Sequence, residues 1–304
     1  LKPYTSFNWD IVRQEIAGEI PPEVSVGAYA IDNINGAKLS TDKNYLKDAI
    51  ATGAVELRSL TEVEMIRERP ISGYTVVCRN VTATGELIER YELEADYLFM
   101  AAGSMNTSKL LLKSQQSGEL ASVNDRIGYG WGTNGDQLLA QNHPRVGPGP
   151  QGGPACIAAL DTTNPDYPIT FMHSPVPGVQ LQMAMSVPDE TGQLHYDPGS
   201  DRVRIDWEPD TGTASERARV ASFERLLDHN GGTQTSFIEG SIWHPLGGTP
   251  MNDACDSLGQ LYGYKDLFVL DGSLLPGTAA GVNPALTVAA NAERIMEAII
   301  PDLS

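Results

Sequence analysis

W-H-P-L-G-G at residues 243–248, Y-G-Y-K-D-L-F-V-L-D-G-S-L-L-P-G at 262–277 and A-G-V-N-P-A-L-T-V-A-A-N-A-E-R at 280–294 decide how this chain folds. The first is a histidine held between an aromatic residue, a proline and two glycines. In the second, Phe268-Val269-Leu270 is an apolar strand that ends at Asp271-Gly272-Ser273. The third opens a helix: Asn283 suits the N-cap and Pro284 the first helical position, where its missing amide costs nothing. Leu286, Ala289, Ala292, Met296 and Ile299 then recur at three and four residues and predict the buried face.

Upstream, A-D-Y-L-F-M-A-A-G-S at 95–104 is an apolar strand running into Gly103, followed by a helix carrying Leu110, Leu111 and Leu112. Such a unit presents backbone N–H groups at a helix N-terminus, where an anionic cofactor can sit; it serves equally well for packing. G-Y-G-W-G-T-N-G at 128–135 has four glycines in eight positions, the density of a loop that approaches a ligand or of a tight structural turn.

Alternation predicts strands at 55–59, 63–66, 74–79 and 87–93, with turns at Ser72-Gly73 and Thr84-Gly85. A helix with Ile11, Val12 and Ile16 on one face stops near Gly18, and another, capped by Ser40-Thr41-Asp42, closes at Gly53. After a Pro/Gly-rich connector at 144–154 the period becomes two. Val179, Leu181, Met183 and Met185, then Val203, Ile205 and Trp207, read as half-buried strands of one sheet. Methionines on one face suit a pliable binding surface or ordinary core. Residues 213–229 predict a surface helix with Phe223, Leu226 and Leu227 inward.

The 304 residues suffice for one large domain or two ordinary ones, and 41% hydrophobic with 20% charged residues is a globular mix. No apolar run reaches the roughly eighteen residues of a membrane-spanning helix. A formal net charge of −18 argues against a surface for nucleic-acid phosphates. Cys78, Cys156 and Cys255 are too few and scattered for a disulfide framework or a zinc site, and the histidines have no metal-ligand spacing, so no metal is expected. A start at Leu1-Lys2-Pro3, without methionine or signal-like stretch, is the expectation for a chain cut from something longer.

Two residues stand out chemically. His244, fixed by Pro245 and slim flanks, can take a proton from a hydroxyl, or can be a turn histidine with satisfied bonds. Asn283 can face a ligand from the positive end of its helix, or can merely cap that helix.

The three C-terminal motifs, in this order, resemble the signature of the glucose–methanol–choline (GMC) family of flavin oxidoreductases, and within it the bacterial cholesterol oxidase branch. The likeness extends to R-Q-E-I-A-G-E-I-P at 13–21, N-I-N-G-A-K-L-S-T-D-K-N-Y-L at 33–46, L-F-M-A-A-G-S at 98–104 and G-W-G-T-N-G at 130–135. The resemblance implies FAD as cofactor, with His244 as active-site base or hydrogen-bond partner of the substrate hydroxyl. It implies that Asn283 sits beside the flavin and touches the substrate oxygen. It assigns Asp271 and Gly272 to the ribityl–pyrophosphate region, and Pro284 and Ala285 to the flavin's pyrimidine edge. Val63 falls at a backbone contact to adenine, and Gly103 in the turn beneath the cofactor. Asn134 and Gly135 fall near the flavin and the buried cavity, and Trp243 beside the catalytic histidine. A helix N-terminus at the pyrimidine edge would favour the negative charge gained on reduction.

Two departures from the family pattern matter. The dinucleotide fingerprint, a strand followed by G-x-G-x-x-G and an acidic ribose ligand, is absent, which implies that roughly the first third of the family's sequence lies on a partner polypeptide. Cleavage of one precursor into a heterodimer is its simplest source, and this chain alone should not hold FAD. Steroid oxidases, further, use a glutamate ahead of a Pro-x-Pro-x-Gly-like turn to move a ring double bond. Counting back from Pro175-Val176-Pro177-Gly178 lands on Met172, with His173 on the opposite strand face. Isomerase activity is therefore not expected, and Met172 becomes a substrate-side residue.

The expected fold is mixed α/β. Residues 1–140 and 235–304 form parts of a Rossmann-like FAD-binding domain completed by another chain, with 1–40 partly a substrate lid. Residues 141–234 form a substrate domain on a mixed or antiparallel sheet. The expected activity is FAD-dependent oxidation of a secondary alcohol on a bulky apolar, steroid-like or polycyclic substrate, with electrons passing to dioxygen. The alternatives are a lyase or other tailoring reaction on a non-sterol natural product, and a non-catalytic binding module. No nucleic-acid partner is expected, and the compartment is not legible.

Overall fold

Turn-forming glycines and asparagines divide this chain into short elements, and apolar spacing decides which of them are buried. The computed structural model describes residues 7–28, 33–142, 158–176, 179–208, 212–238 and 242–303. His143, the 144–154 connector and the Pro177-Gly178 turn lie outside them.

Helix α1 (Trp9–Ala17) starts at Asn8, whose side chain accepts the Asp10 amide, and stops at Gly18, where φ is +74°. Val12 is buried, but Ile16 is 73% exposed and Glu15 takes the inner position instead. The Glu15 carboxylate accepts the amides of Glu23 and Ser25, and Glu23 accepts those of Ile34 and Asn35. Two buried acids thus hold a stretch that lacks a sheet of its own. Helix α2 (Tyr45–Ala51) is capped by Asn44, whose Oδ1 accepts the Tyr45 amide. The expected cap, Ser40-Thr41-Asp42, instead enters a 3-10 turn at Thr41–Lys43. The strand expected at 55–59 does not form: Val55 and Leu57 are exposed, so their alternation has no buried face to serve.

Strands β1 (Thr61–Glu68), β2 (Tyr74–Val81) and β3 (Leu87–Ala95) form an antiparallel meander in that order. β2 lies between the others and buries Tyr74, Val76, Cys78 and Val81. Strand β4 (Leu98–Met100) then runs into α3 (Gly103–Gln116).

Strands β5 (Gln137–Asn142), β6 (Ala158–Asp161), β7 (Ile169–Val176), β8 (Val179–Met185) and β11 (Thr233–Ile238) make one antiparallel sheet, ordered β11-β5-β8-β7-β6. Strands β9 (Gln193–Asp197) and β10 (Arg202–Asp206) pair only with each other, so the single sheet expected across 157–207 is two. Helix α4 (Ala214–Asn230) packs Phe223 on Phe171, with ring centroids 4.8 Å apart, and closes one sheet face over Leu139, Ile169 and Ala184. Ala184 is therefore as buried as the methionines beside it, and simple polar-out alternation fails there. The opposite face gathers Leu138, Met172, Met183 and Met185.

Strand β12 (Leu267–Val269) pairs in parallel with β4, and α5 (Pro284–Ile299) follows it. On α5 the buried positions are Pro284, Ile295 and Ile299; Leu286, expected inward, is 55% exposed. Leu111, Leu120, Leu267, Val269, Leu274 and Ile295 are fully buried in one core.

Contacts divide the described residues into two compact units. One comprises those within 1–57, 136–186 and 216–241; the other comprises those within 58–135, 187–215 and 242–304. Among the described residues no helix is long and apolar enough to cross a membrane.

Candidate active site

Three glycine-rich backbones, 128–135, 244–249 and 272–279, meet in the second unit. Gly132 and Leu246 exchange both amide–carbonyl hydrogen bonds at 3.0 Å. Gly247 donates to the Gly272 carbonyl at 3.0 Å, and Thr249 to that of Ser273 at 3.0 Å. Glycine is required by the approach itself. A Cβ on Gly132 would stand 2.7 Å from the Gly277 backbone, and one on Gly247 would stand 1.8 Å from the Gly130 carbonyl oxygen. His244 sits two residues before the Gly132–Leu246 pair, so its segment is fixed by backbone on one flank. Trp243, next to it, is half exposed.

Behind this ladder lies Asp271, 8% exposed. Its Oδ2 accepts the Gly103 amide at 2.8 Å and the Thr107 hydroxyl at 2.5 Å, while Oδ1 accepts the amide and hydroxyl of Ser273 at 2.8 and 2.6 Å. The turn from β4 into α3 could offer its amides to an anionic cofactor or serve packing alone. The anion that takes the Gly103 amide is instead a side chain of the protein, which joins the two parallel strand–turn units. The Gly103 Cα faces open space, with nothing within 4 Å of where a Cβ would stand.

Asn134 is fully buried with φ +60°. Its amide donates to the Gly277 carbonyl at 2.9 Å, and its side chain bonds to the loop leading into α5. Gly135 follows, also buried and with φ +65°. Asn283 occupies the N-cap position of α5, yet its side chain makes no capping hydrogen bond, so the simpler reading of that residue as a cap does not hold. Pro284 is buried at the first helical position and Ala285 is exposed.

The structure therefore ties Gly103, Asn134, Asp271, Gly272 and the segments bearing His244 and Asn283 into one framework. Val63 stands apart, on β1, where it lines a cleft of about 620 Å³ with Ala102, Asn106, Lys109, Lys113 and Asp201. Lys109 and Lys113 reach the single carboxylate of Asp201 at 3.1 and 2.9 Å, which leaves a net positive trio. Burial raises the Asp201 pKa, but bonds from Lys113, Tyr196 and Lys109 outweigh it and hold it at about 2. Glu62, Glu64 and Arg79 complete the charged lining of the cleft, so its three basic and three acidic side chains balance. Met172 belongs to the other unit, half-buried against the methionine face.

Sequence reading missed Ser104, Thr107 and Ser108. All three are buried on α3: Ser104 donates to the Gly247 carbonyl at 2.7 Å, and Ser108 packs where a Cβ on Gly248 would collide at 2.2 Å. A stripe of small hydroxyl residues at helical spacing was the available signal.

Two family models, each described as GMC oxidoreductase, match the chain, one N-terminal over residues 5–124 and one C-terminal over 188–292. A cholesterol oxidase of Acinetobacter baumannii is 43% identical over 61 residues, 18% of this chain and 11% of that protein. An uncharacterized GMC-type oxidoreductase, y4nJ, of Sinorhizobium fredii is 52% identical over 50 residues, 16% of this chain and 10% of that protein. Among solved structures, pyridoxine 4-oxidase from Mesorbium loti superposes with a TM-score of 0.61 at 17% identity, over 86% of this chain and 62% of that one. An FAD-dependent oxidoreductase from Chaetomium thermophilum gives 0.66 at 14% identity, over 90% and 66%. At such identities the structural likeness is one of fold. The chain spans under two thirds of the length of these two structures. The family models match in the order that the motifs predict, on an architecture that both neighbours share, and the chain belongs to the GMC oxidoreductase family.

Proposed function

We propose that this chain is the catalytic half of an FAD-dependent oxidoreductase acting on a secondary alcohol of a bulky apolar, steroid-like or polycyclic molecule. His244 takes the proton of the substrate hydroxyl, and the Asn283 carboxamide orients its oxygen. Bound FAD would supply the hydride acceptor for the carbinol carbon and a route for the electrons to dioxygen. The observation that carries this reading is the backbone ladder, which fixes the segment of His244 and, through Asn134, the loop of Asn283.

FAD binding falls to segments within 1–140 and 235–304. Gly103, Asn134, Gly135, Asp271 and Gly272 would shape the bed of the cofactor, Val63 would meet its adenine, and Pro284 and Ala285 would bring the positive end of α5 to its pyrimidine edge. Substrate binding falls to the sheet within 141–234, whose methionine face offers an adaptable apolar wall, with residues 1–40 contributing a lid. The cholesterol oxidase match, short as it is, supports a steroid-like substrate.

A second polypeptide bearing the Gly-rich segment completes the cofactor domain. In a parallel pair each strand turns alternate residues toward its partner. Leu98 donates to Asp266 and Met100 accepts from Leu270, so the N–H and C=O of Phe99 face the other edge of β4, where no strand is paired among the described residues. Parallel sheets this small are found inside larger ones.

The test is anaerobic addition of a steroid alcohol to the protein with its copurifying chain. Bleaching of the flavin absorption is the expected result; a colourless preparation overturns the cofactor, and flavin that stays yellow overturns alcohol oxidation. The last outcome would favour a tailoring reaction without redox turnover on a non-sterol natural product. Met172 gives that second reading its support, because a thioether at the substrate-side position has no acid–base chemistry.

A further inference from the structure

The loop between Gly277 and Asn283 has no regular structure of its own. Its backbone takes three left-handed turns, at Gly277 (φ +70°), Ala280 (φ +57°) and Gly281 (φ +78°). Alanine in that region is strained by roughly 1–2 kcal/mol, so something outside the loop must over-determine its shape. That constraint comes from one side chain. Asn134 Oδ1 accepts the Ala279 amide at 2.8 Å and the Thr278 hydroxyl at 3.3 Å, while Nδ2 donates to the Val282 carbonyl at 3.0 Å. With the Asn134 amide on the Gly277 carbonyl, four of the six residues 277–282 are bonded to this asparagine. Thr278 Oγ1 in turn accepts the Ala280 amide at 3.0 Å, which extends the hold to the strained residue.

Few residue types fit this task. The φ of +60° at Asn134 suits asparagine or glycine, and a carboxamide carries its acceptor oxygen and its donor nitrogen on separate atoms of one short arm. The acceptor oxygen has both lone pairs engaged, so Asn134 has at most one N–H left for any ligand. The residue is fully buried, so its action on a bound substrate is indirect.

We infer that Asn134 is a positioning residue: by clamping residues 277–282 it sets where the Asn283 carboxamide stands relative to the His244 segment. The inference rests on the proposed roles of His244 and Asn283 but can be tested separately from them. The backbone that carries Asn134 is the same one that pairs Gly132 with Leu246, so a single rigid piece registers both segments. A misplacement of a reacting group by about 1 Å can slow a reaction about 100-fold without abolishing binding.

The experiment is Asn134→Gly, which keeps the left-handed backbone and removes the clamp, in the flavoprotein with its partner chain. Amide hydrogen exchange across 278–282 should accelerate at least about tenfold while the β1–β3 meander stays as protected as before. Flavin reduction under anaerobic single turnover should slow about 10- to 100-fold, with substrate Kd changed less than about threefold. Unchanged exchange overturns the clamp. Faster exchange with an unchanged reduction rate, or a Kd that weakens in step with the rate, overturns positioning. Should Asn134→Gly fail to fold, Thr278→Val removes one bond to Asn134 and one to Ala280 and should shift both readouts in the same direction by a smaller factor; no shift in either overturns the inference. A parent preparation without flavin would overturn the proposed function, and the exchange measurement would still decide the clamp.

Discussion

Gly103 and Asp271 lie 168 residues apart in sequence, and the amide of one donates to the carboxylate of the other at 2.8 Å. The bond ties the end of β12 to the first turn of α3, and three further donors complete the carboxylate's shell. Asp271→Ala would leave these donors without their acceptor in a buried place. It should lower unfolding stability by about 3 kcal/mol, and Asp271→Asn, which retains an acceptor oxygen, should cost less. Urea unfolding of the two variants reads both values; equal stability to the parent would show that solvent replaces the carboxylate.

The proposed proton acceptor is tested directly. His244→Ala should slow flavin reduction by a factor on the order of 10²–10⁴, with the flavin still bound. Stopped-flow absorbance under anaerobic conditions measures it. A rate within a few-fold of the parent would remove the imidazole from the chemistry.

Two glycines with similar backbone angles should respond very differently to alanine. Gly18 (φ +74°) ends α1 with nothing within 4 Å of an added Cβ, so Gly18→Ala should cost only the strain, about 1 kcal/mol. Gly247 (φ +80°) faces the Gly130 carbonyl, and Gly247→Ala should cost at least about 2 kcal/mol more, because a backbone ladder must open. Paired denaturation curves check the difference; similar losses would mean that the ladder yields easily.

Acid should weaken the link between α3 and the β9–β10 hairpin. Asp201 is held at about 2 in the fold, below its ordinary 3.8, so its contribution is present above about 3.8 and is lost as pH falls through about 2. The carboxylate is half exposed, and solvent screening keeps the effect below about 1 kcal/mol. The stability difference between the parent and Asp201→Asn should therefore shrink as pH is lowered from 5 toward 2. A difference constant across that range would show that the charge contributes nothing.

The sequence was legible where a local rule decides the outcome. Gly18, Gly73 and Gly85 stop or turn the chain as their positions suggest, Pro284 opens α5, and the meander follows its alternation. Where burial depends on a distant neighbour, local pattern misled. Ile16 and Leu286 have the right spacing but face outward, and Ala184 is buried only because α4 lies over it. The strands at 179–185 and 203–207 share one period yet belong to separate sheets, since spacing carries no information about pairing. At the candidate site, the motifs pointed to His244, Asn283 and Asp271, but not to what holds them. Nothing local to Thr107 or Ser104 says that a carboxylate and a carbonyl more than 140 residues away will complete their hydrogen bonds.

That separation has a kinetic side. The bonds that assemble the framework join Ser104 to Gly247, Asn134 to Val282 and Gly103 to Asp271, and they close loops of 143, 148 and 168 residues. Such closures are entropically late events, whereas the β1–β3 meander and the helices need only near neighbours. Refolding should therefore restore circular dichroism well before it restores any capacity to hold a ligand at the ladder.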